Sequence, residues 1–396
     1  MTALSPSTTG LSSDYDVVCF SHLRWDFVYQ RPQHLMSHFA RGSRVFFVEE
    51  PIFDSAEDRI DVINPEANIY RILPRLSGDG ADANSRIQRL VADVLERFDV
   101  EHYVNWFYTP MMLDLAEGME PLATVYDSMD ELSAFRGAPP ELLENERRLF
   151  DLADLVFTGG QSLYEAKKHR HHSVHAFPSS VDVGHFATAR EITDEPDEQR
   201  AIPHPRIGFA GVIDERMDIE LLRDIAGLRP DWHFVMIGPV VKISESDLPR
   251  RYNIHYLGMQ PYEKLPAFLA GWNAAMMPFA LNDATKFISP TKTPEYLSAG
   301  LGVVSTPITD VVTPYGEMGL VHIASTAREF VAGLEAVMGQ DAEQRAERAG
   351  EFLKQNSWDK TFAAMSDLID GVIAGPQPKG EAASSGSEQG LLLAAA

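Results

Sequence analysis

Short apolar runs rich in Val, Ile and Phe alternate along this chain with longer segments whose apolar residues recur at helical spacing. That rhythm predicts strand–helix units repeated around parallel sheets. Strands buried on both faces read as continuous apolar runs, and the helices that cross between them show a single apolar stripe. From Asp16 onward the predicted strands are "DVVCF", "RVFFVEE", "NIYRIL", "EHYVNWF", "ATVYDSM" and "LVFTG". Between Asn84 and Phe98, the residues Ile87, Leu90, Val91, Val94, Leu95 and Phe98 fall on one face and predict an amphipathic helix. An acidic, proline-bearing stretch at 187–205, "ATAREITDEPDEQRAIPHP", interrupts the rhythm and predicts an interdomain linker. The pattern restarts with "RIGFAGVI", "WHFVMIG", "NIHYLG", "AAMMPF", "GVVSTPI" and "LVHIA". The expected fold class is α/β, with a first domain over 14–186, a second over 206–348, a helical segment over 349–372 and a disordered tail over 373–396. In the helical segment Trp358, Phe362, Met365, Leu368 and Ile369 recur at helical spacing.

Length and charge sharpen this picture. A chain of 396 residues exceeds what one core usually organises, and two lobes imply a cleft. A formal charge of −24 argues against nucleic acid as a partner, so any anionic ligand must be met by local cations. The single cysteine, Cys19, excludes an intramolecular disulfide and suits a reducing compartment. The polar start lacks the features of an export signal and no stretch reaches membrane-spanning length, so a cytoplasmic location is expected.

The stretch "KFISPTKTPEYLSAGLGVVSTPI", residues 286–308, concentrates charge just before an apolar run. Pro294 is tolerated in a first helical turn and Gly300 marks where the helix should stop. Pro290, Thr291 and the residues to Glu295 therefore lie beyond the carboxyl end of the strand "AAMMPF", where open parallel sheets bind ligands. Lys286 and Lys292 would add positive charge for phosphate, and Glu295 can accept two hydrogen bonds from vicinal hydroxyls. The plainer alternative has Glu295 complementing the helix dipole and both lysines solvated.

Other candidates sit at strand ends of the first domain. In "CFSHLRWDFVYQRPQHLM", Trp25 could stack on a sugar ring and Arg24 or Arg31 could meet an acceptor phosphate, with Asp26 beside them; a core position for Trp25 is the alternative. In "VYDSMDELSAF", Asp127 or Asp130 could orient an acceptor hydroxyl or stabilise developing positive charge, and Asp127 could instead cap a helix. The histidines of "KKHRHHSVH" straddle a helix end without a nearby acid, and "DYD" at 14–16 precedes the first strand, so no metal is expected. The chain contains neither G-x-G-x-x-G nor G-x-x-x-x-G-K-[ST], which weakens dehydrogenase and P-loop readings.

The segment "SPTKTPEYLSAGLGVVSTPI" resembles the donor-binding segment of retaining GT-B glycosyltransferases of the large bacterial "group 1" superfamily, the glycogen-synthase and mannosyltransferase-like enzymes. "WDFVYQRPQHLMSHFA", "FPSSVDVGHF" and "GFAGVIDERMDIELL" follow that family's order, and the likeness spans most of 14–370. The resemblance implies two Rossmann-like domains facing across a cleft, with the last helix returning to the first domain. It also implies a nucleotide diphosphate sugar as donor, no separate cofactor, a glycan or lipid-linked acceptor, and retention without a metal. On this pattern Glu295 would hold the ribose. Lys292, Lys286 and Arg216, with backbone near Gly211, would meet the diphosphate, and Tyr262 would lie near the base.

Departures from the pattern are equally informative. Phe287 stands eight residues before Glu295, where many relatives have a second glutamate, and the loop near Val212 and Met217 lacks the usual Arg and Lys. The expectation is that phosphate charge has moved to Arg216, Lys286 and Lys292. A sugar-nucleotide epimerase of the same architecture and a catalytically silent glycosyltransferase-like subunit are the rivals. A periplasmic sugar receptor has two similar lobes, but no export signal is evident. "LMSHFARGSR" is a short basic stretch that leaves room for peripheral association with the inner membrane face.

Overall fold

The computed structural model describes residues 14–78, 80 and 82–375. The predicted tail from 376 onward lies outside the described residues, as does the start of the chain before 14. The first sheet contains β1 (Asp16–Ser21), β2 (Val45–Glu49), β3 (Arg59–Ile63), β4 (Ile69–Arg75), β5 (Tyr103–Phe107), β6 (Ala123–Ser128), β7 (Leu155–Thr158) and β8 (Val174–Ala176). Their order is β3-β4-β2-β1-β5-β6-β7-β8, and β3 alone pairs antiparallel. The second sheet contains β9 (Arg206–Ala210), β10 (His233–Ile237), β11 (Ile254–Gly258), β12 (Ala274–Met277), β13 (Val303–Ser305) and β14 (His322–Ile323), in the order β11-β10-β9-β12-β13-β14 with every pair parallel.

Each sheet reverses its winding once, between β1 and β5 in the first and between β9 and β12 in the second. Crevices open at the carboxyl ends of strands at such points, and in this molecule both sheets present those ends to one shared cleft. Strands β1 and β9 are buried along their whole length, which is why their sequences are apolar without alternation.

The segment predicted as a linker is ordered and packs on the second sheet. Its Ala189 and Ile202, with Val181 and Phe186 just before it, share a core with Phe268, Trp272 and Tyr296, and the Trp272 indole N–H donates to Gln199 Oε1 at 3.2 Å. The last helix, Trp358–Ile373, recrosses to the first domain. Its Trp358, Met365 and Ile369 are buried among Cys19, Trp25, Phe39 and Trp106, and Trp358 stacks on His34 with centroids 4.7 Å apart. The two-lobed architecture expected from the resemblance, crossing helix included, is therefore present.

The lobes also touch around the cleft. Tyr29 of the first stacks on Tyr262 of the second at 4.6 Å, the Ser162 N–H donates to Asp310 Oδ1 at 3.0 Å, and the Arg136 N–H donates to Glu215 Oε1 at 3.0 Å.

Candidate active site

A cavity of about 510 Å³ lies between the lobes. Its second-domain wall starts at the ends of β9 and β10. Gly211 and Gly238 both take positive φ, and a β-carbon on Gly238 would overlap the Gly211 carbonyl. The space that Gly211 leaves is filled by Lys292, whose Nζ would lie 2.3 Å from a β-carbon on Gly211. The helix carrying it, Lys292–Ser298, is pinned to β9: the Tyr296 hydroxyl accepts from the Ala210 N–H at 2.7 Å and donates to the Ala210 carbonyl at 3.3 Å.

Lys292 is half-buried, and among the described residues its ammonium has no hydrogen-bond or ion-pair partner. Its nearest companions are the faces of Phe209 at 5.4 Å and Phe279 at 5.9 Å. Burial, helped by the positive charge of Arg216, lowers its pKa to about 8. Glu295 lies one turn further along, and burial raises its pKa to about 7 against the opposing pull of Lys292. Arg216 completes the group. Its Nη2 pairs with Asp214 at 2.7 Å, and its guanidinium lies 5.4 Å from the Phe135 ring of the other lobe. An ammonium without a hydrogen-bond or ion-pair partner in a half-buried crevice is chemically suited to an anion.

On the first-domain wall the loop after β1 brings Asp26, Phe27, Val28, Tyr29, Gln30 and Arg31 to the cavity. The loop is held by Glu49, which accepts from the Trp25 N–H at 2.8 Å, and by Gln33, whose Nε2 donates to the Trp25 carbonyl at 3.0 Å. Asp130, just past β6, faces the same space. Its carboxylate has no hydrogen-bond partner among the described residues, and burial raises its pKa while Arg216 pulls the other way.

Of the predicted residues, the cleft gathers Glu295, Lys292, Arg216, Gly211, Pro290, Thr291, Tyr262, Asp130, Asp26 and Arg31. Four lie elsewhere. Trp25 takes its alternative position in the core, edge-on to Phe47 at 5.1 Å, and the aromatic on the cavity wall is Phe27. Arg24 turns toward β2, donating to Glu49 Oε2 at 3.1 Å and to the Glu50 carbonyl at 2.5 Å. Lys286 is exposed beside Phe287. Asp127 is fully buried and grips Arg31, accepting from Nε at 2.9 Å and from Nη2 at 2.8 Å.

Tyr262 lies against the cavity but is also sandwiched between Tyr29 and His185, and its hydroxyl is buried without a partner. Gly238 was not among the predicted residues, although glycine at the end of two adjacent strands, "GFAG" and "MIG", was a readable signal. Among the described residues no three His, Cys, Asp or Glu side chains converge to hold a metal ion, and no helix is long and apolar enough to cross a membrane.

No family model matches the chain. A Bacillus subtilis (strain 168) protein named as a teichuronic acid biosynthesis glycosyltransferase, TuaH, is 23% identical over 211 residues, which is 50% of this chain and 52% of that protein. The chain thus matches about half the length of that relative. Among solved structures, a trehalose-6-phosphate structure from E. coli bound with UDP-2-fluoro glucose superposes with a TM-score of 0.66 at 11% identity, covering 89% of this chain and 98% of that one. The sucrose-phosphate synthase of Thermosynechococcus elongatus gives 0.66 at 13% identity, covering 91% and 100%. An α,α-trehalose-phosphate synthase (UDP-forming) of Burkholderia xenovorans in complex with glucose-6-phosphate gives 0.66 at 13%, covering 90% and 100%. These likenesses establish the fold: the chain is a GT-B protein.

Proposed function

We propose that this GT-B chain is a glycosyltransferase that moves a sugar from a nucleotide diphosphate sugar to a hydroxyl of a glycan or lipid-linked acceptor, with retention and without a metal. The observation that carries the reading is Lys292, an ammonium without a counterion in the interdomain cleft, backed by Arg216 and set one turn before Glu295. Lys292 and Arg216 neutralise the diphosphate as it departs, the point at which charge develops in the transition state. Glu295 as carboxylate accepts hydrogen bonds from the ribose diol. The bond from the sugar C1 to the phosphate oxygen breaks, the acceptor oxygen takes its place, and the acceptor proton leaves with the diphosphate. Asp130, across the cleft, stabilises the positive charge at C1 or orients the incoming hydroxyl.

Inter-lobe contacts on more than one side, Tyr29 on Tyr262 and Arg136 on Glu215, favour a closed cleft that keeps water from the donor. The Bacillus subtilis relative supports cell-surface polysaccharide synthesis as the setting, and the E. coli neighbour makes a uridine diphosphate sugar the first donor to try. The buried single Cys19 suits work in the cytoplasm, with room for association at the inner membrane face.

Purified full-length protein incubated with UDP-, GDP-, ADP- and dTDP-sugars, with and without an acceptor panel, tests the reading. Product that forms only with acceptor supports transfer. Conversion of donor alone is the epimerase outcome, and saturable nucleotide binding with no product across the panel is the silent-subunit outcome.

A further inference from the structure

We infer that the end of the acceptor entering the cleft is an uncharged sugar, and that Asp130 is the specificity residue that turns anionic acceptors away; this rests on the transferase reading above. On the first-domain wall the charged side chains are Asp26, Arg31 and Asp130. Arg31, expected to meet an acceptor phosphate, is held inside the protein through each of its three guanidinium nitrogens. Nε and Nη2 donate to Asp127, and Nη1 donates to the Phe177 carbonyl at 2.8 Å. Both members of that ion pair are buried, Arg31 at 3% exposure and Asp127 at 0%, so the pair is electrically closed. Pulling Arg31 off Asp127 toward a ligand would strand Asp127 as a buried, unpaired carboxylate.

Asp26 is likewise ion-paired, with Arg71, and Arg24 faces Glu49. The charged group that remains on this wall is Asp130, which has no hydrogen-bond or ion-pair partner among the described residues and feels Arg216, Arg31 and Lys292 only through space. The cavity's cations, Lys292 and Arg216, stand on the opposite wall and serve the donor diphosphate. A phosphate or carboxylate on the acceptor would therefore meet a carboxylate in a partly dehydrated space whose cations are committed to the donor diphosphate or to Asp127.

A neutral sugar fits the same wall. Phe27 makes no ring contact with any described residue, leaving its face for the C–H side of a pyranose. Asp130 can accept from the sugar's hydroxyls.

The test begins by finding which of UDP, GDP, ADP and dTDP raises the melting temperature of the full chain. Protein saturated with that nucleotide is then titrated, with ligand-observed NMR as readout, against glucose, galactose and mannose, their 6-phosphates and their uronic acids. The inference expects a neutral hexose to bind at least about tenfold more tightly than its charged forms. It expects that gap to narrow at least about threefold in Asp130→Asn. A hexose phosphate or uronate that binds as well as its neutral parent overturns it, as does an undiminished gap in Asp130→Asn or silence from every neutral hexose. If none of the four nucleotides shifts the melting temperature, the transferase reading itself fails, which is a separate result.

Discussion

Lys292 lies directly over the Cα of Gly211: a β-carbon there would sit 2.0 Å from the lysine Cε and 2.3 Å from its Nζ. The lysine side chain and the end of β9 are thus fitted to one another, and the fit depends on the absence of a side chain. Gly211→Ala is expected to push Lys292 out of the cleft and weaken nucleotide diphosphate affinity at least about tenfold, the scale of one lost charge-assisted contact. Calorimetric titration of the variant checks this, and affinity within twofold of wild type contradicts it.

A half-buried ammonium without a counterion destabilises the fold that holds it. Lys292→Met should therefore raise the melting temperature of the ligand-free protein, by about 2 °C or more, while weakening nucleotide binding at least about tenfold. A thermal scan of both proteins with and without nucleotide reads both effects. A variant that melts lower than wild type would mean that Lys292 has a structural partner.

The two titrations have opposite signs. Glu295, raised from 4.5 to about 7, makes the ligand-free fold more stable toward acid, and this contribution is lost as pH rises from 4.5 through 7. Lys292, lowered from 10.5 to about 8, imposes a cost below pH 8 that is relieved as pH rises toward 10.5. Nucleotide binding wants the ionised forms of both, so affinity should peak between about pH 7 and 8 and fall on either side. Glu295→Gln should remove the acidic limb and leave the alkaline one. Affinity that rises steadily from pH 8 to 10 would contradict the role given to Lys292.

Asp127 and Asp130 stand three residues apart and are expected to fail differently. Asp127→Ala leaves Arg31 buried and unpaired and should cost about 3–5 kcal/mol of stability. Asp130→Ala removes an unpaired carboxylate and should leave stability equal or higher while turnover falls about 100-fold or more. Urea unfolding alongside a transfer assay separates the two, and equal destabilisation by both would contradict the assignment.

The strands that build the cleft were legible because β1, β9 and β12 are buried on both faces and so read as unbroken apolar runs. One edge strand was not: in "RIDVI" of β3 the charged Arg59 and Asp61 pair on an exposed edge, whereas β8, only three residues long, follows the helix end in the histidine-rich segment. Glu295 and Lys292 could be placed at the cleft because both lie at one helix start beyond the end of a strand. The choice between Trp25 and Phe27 could not be made locally: the two lie two residues apart on a loop, and contacts with Phe47 and Glu49 decide which points inward. Arg31 looked free for the same reason, since its partner Asp127 is 96 residues away and only the sheet brings them together.

Isothermal titration of the full-length protein with UDP, GDP, ADP and dTDP, repeated on Lys292→Met, tests the central claim most directly. The account predicts saturable binding of at least one of these nucleotides to the wild type, weakened at least about tenfold in the variant. Binding of equal strength to both proteins, or no binding of any of the four to the wild type, would contradict it.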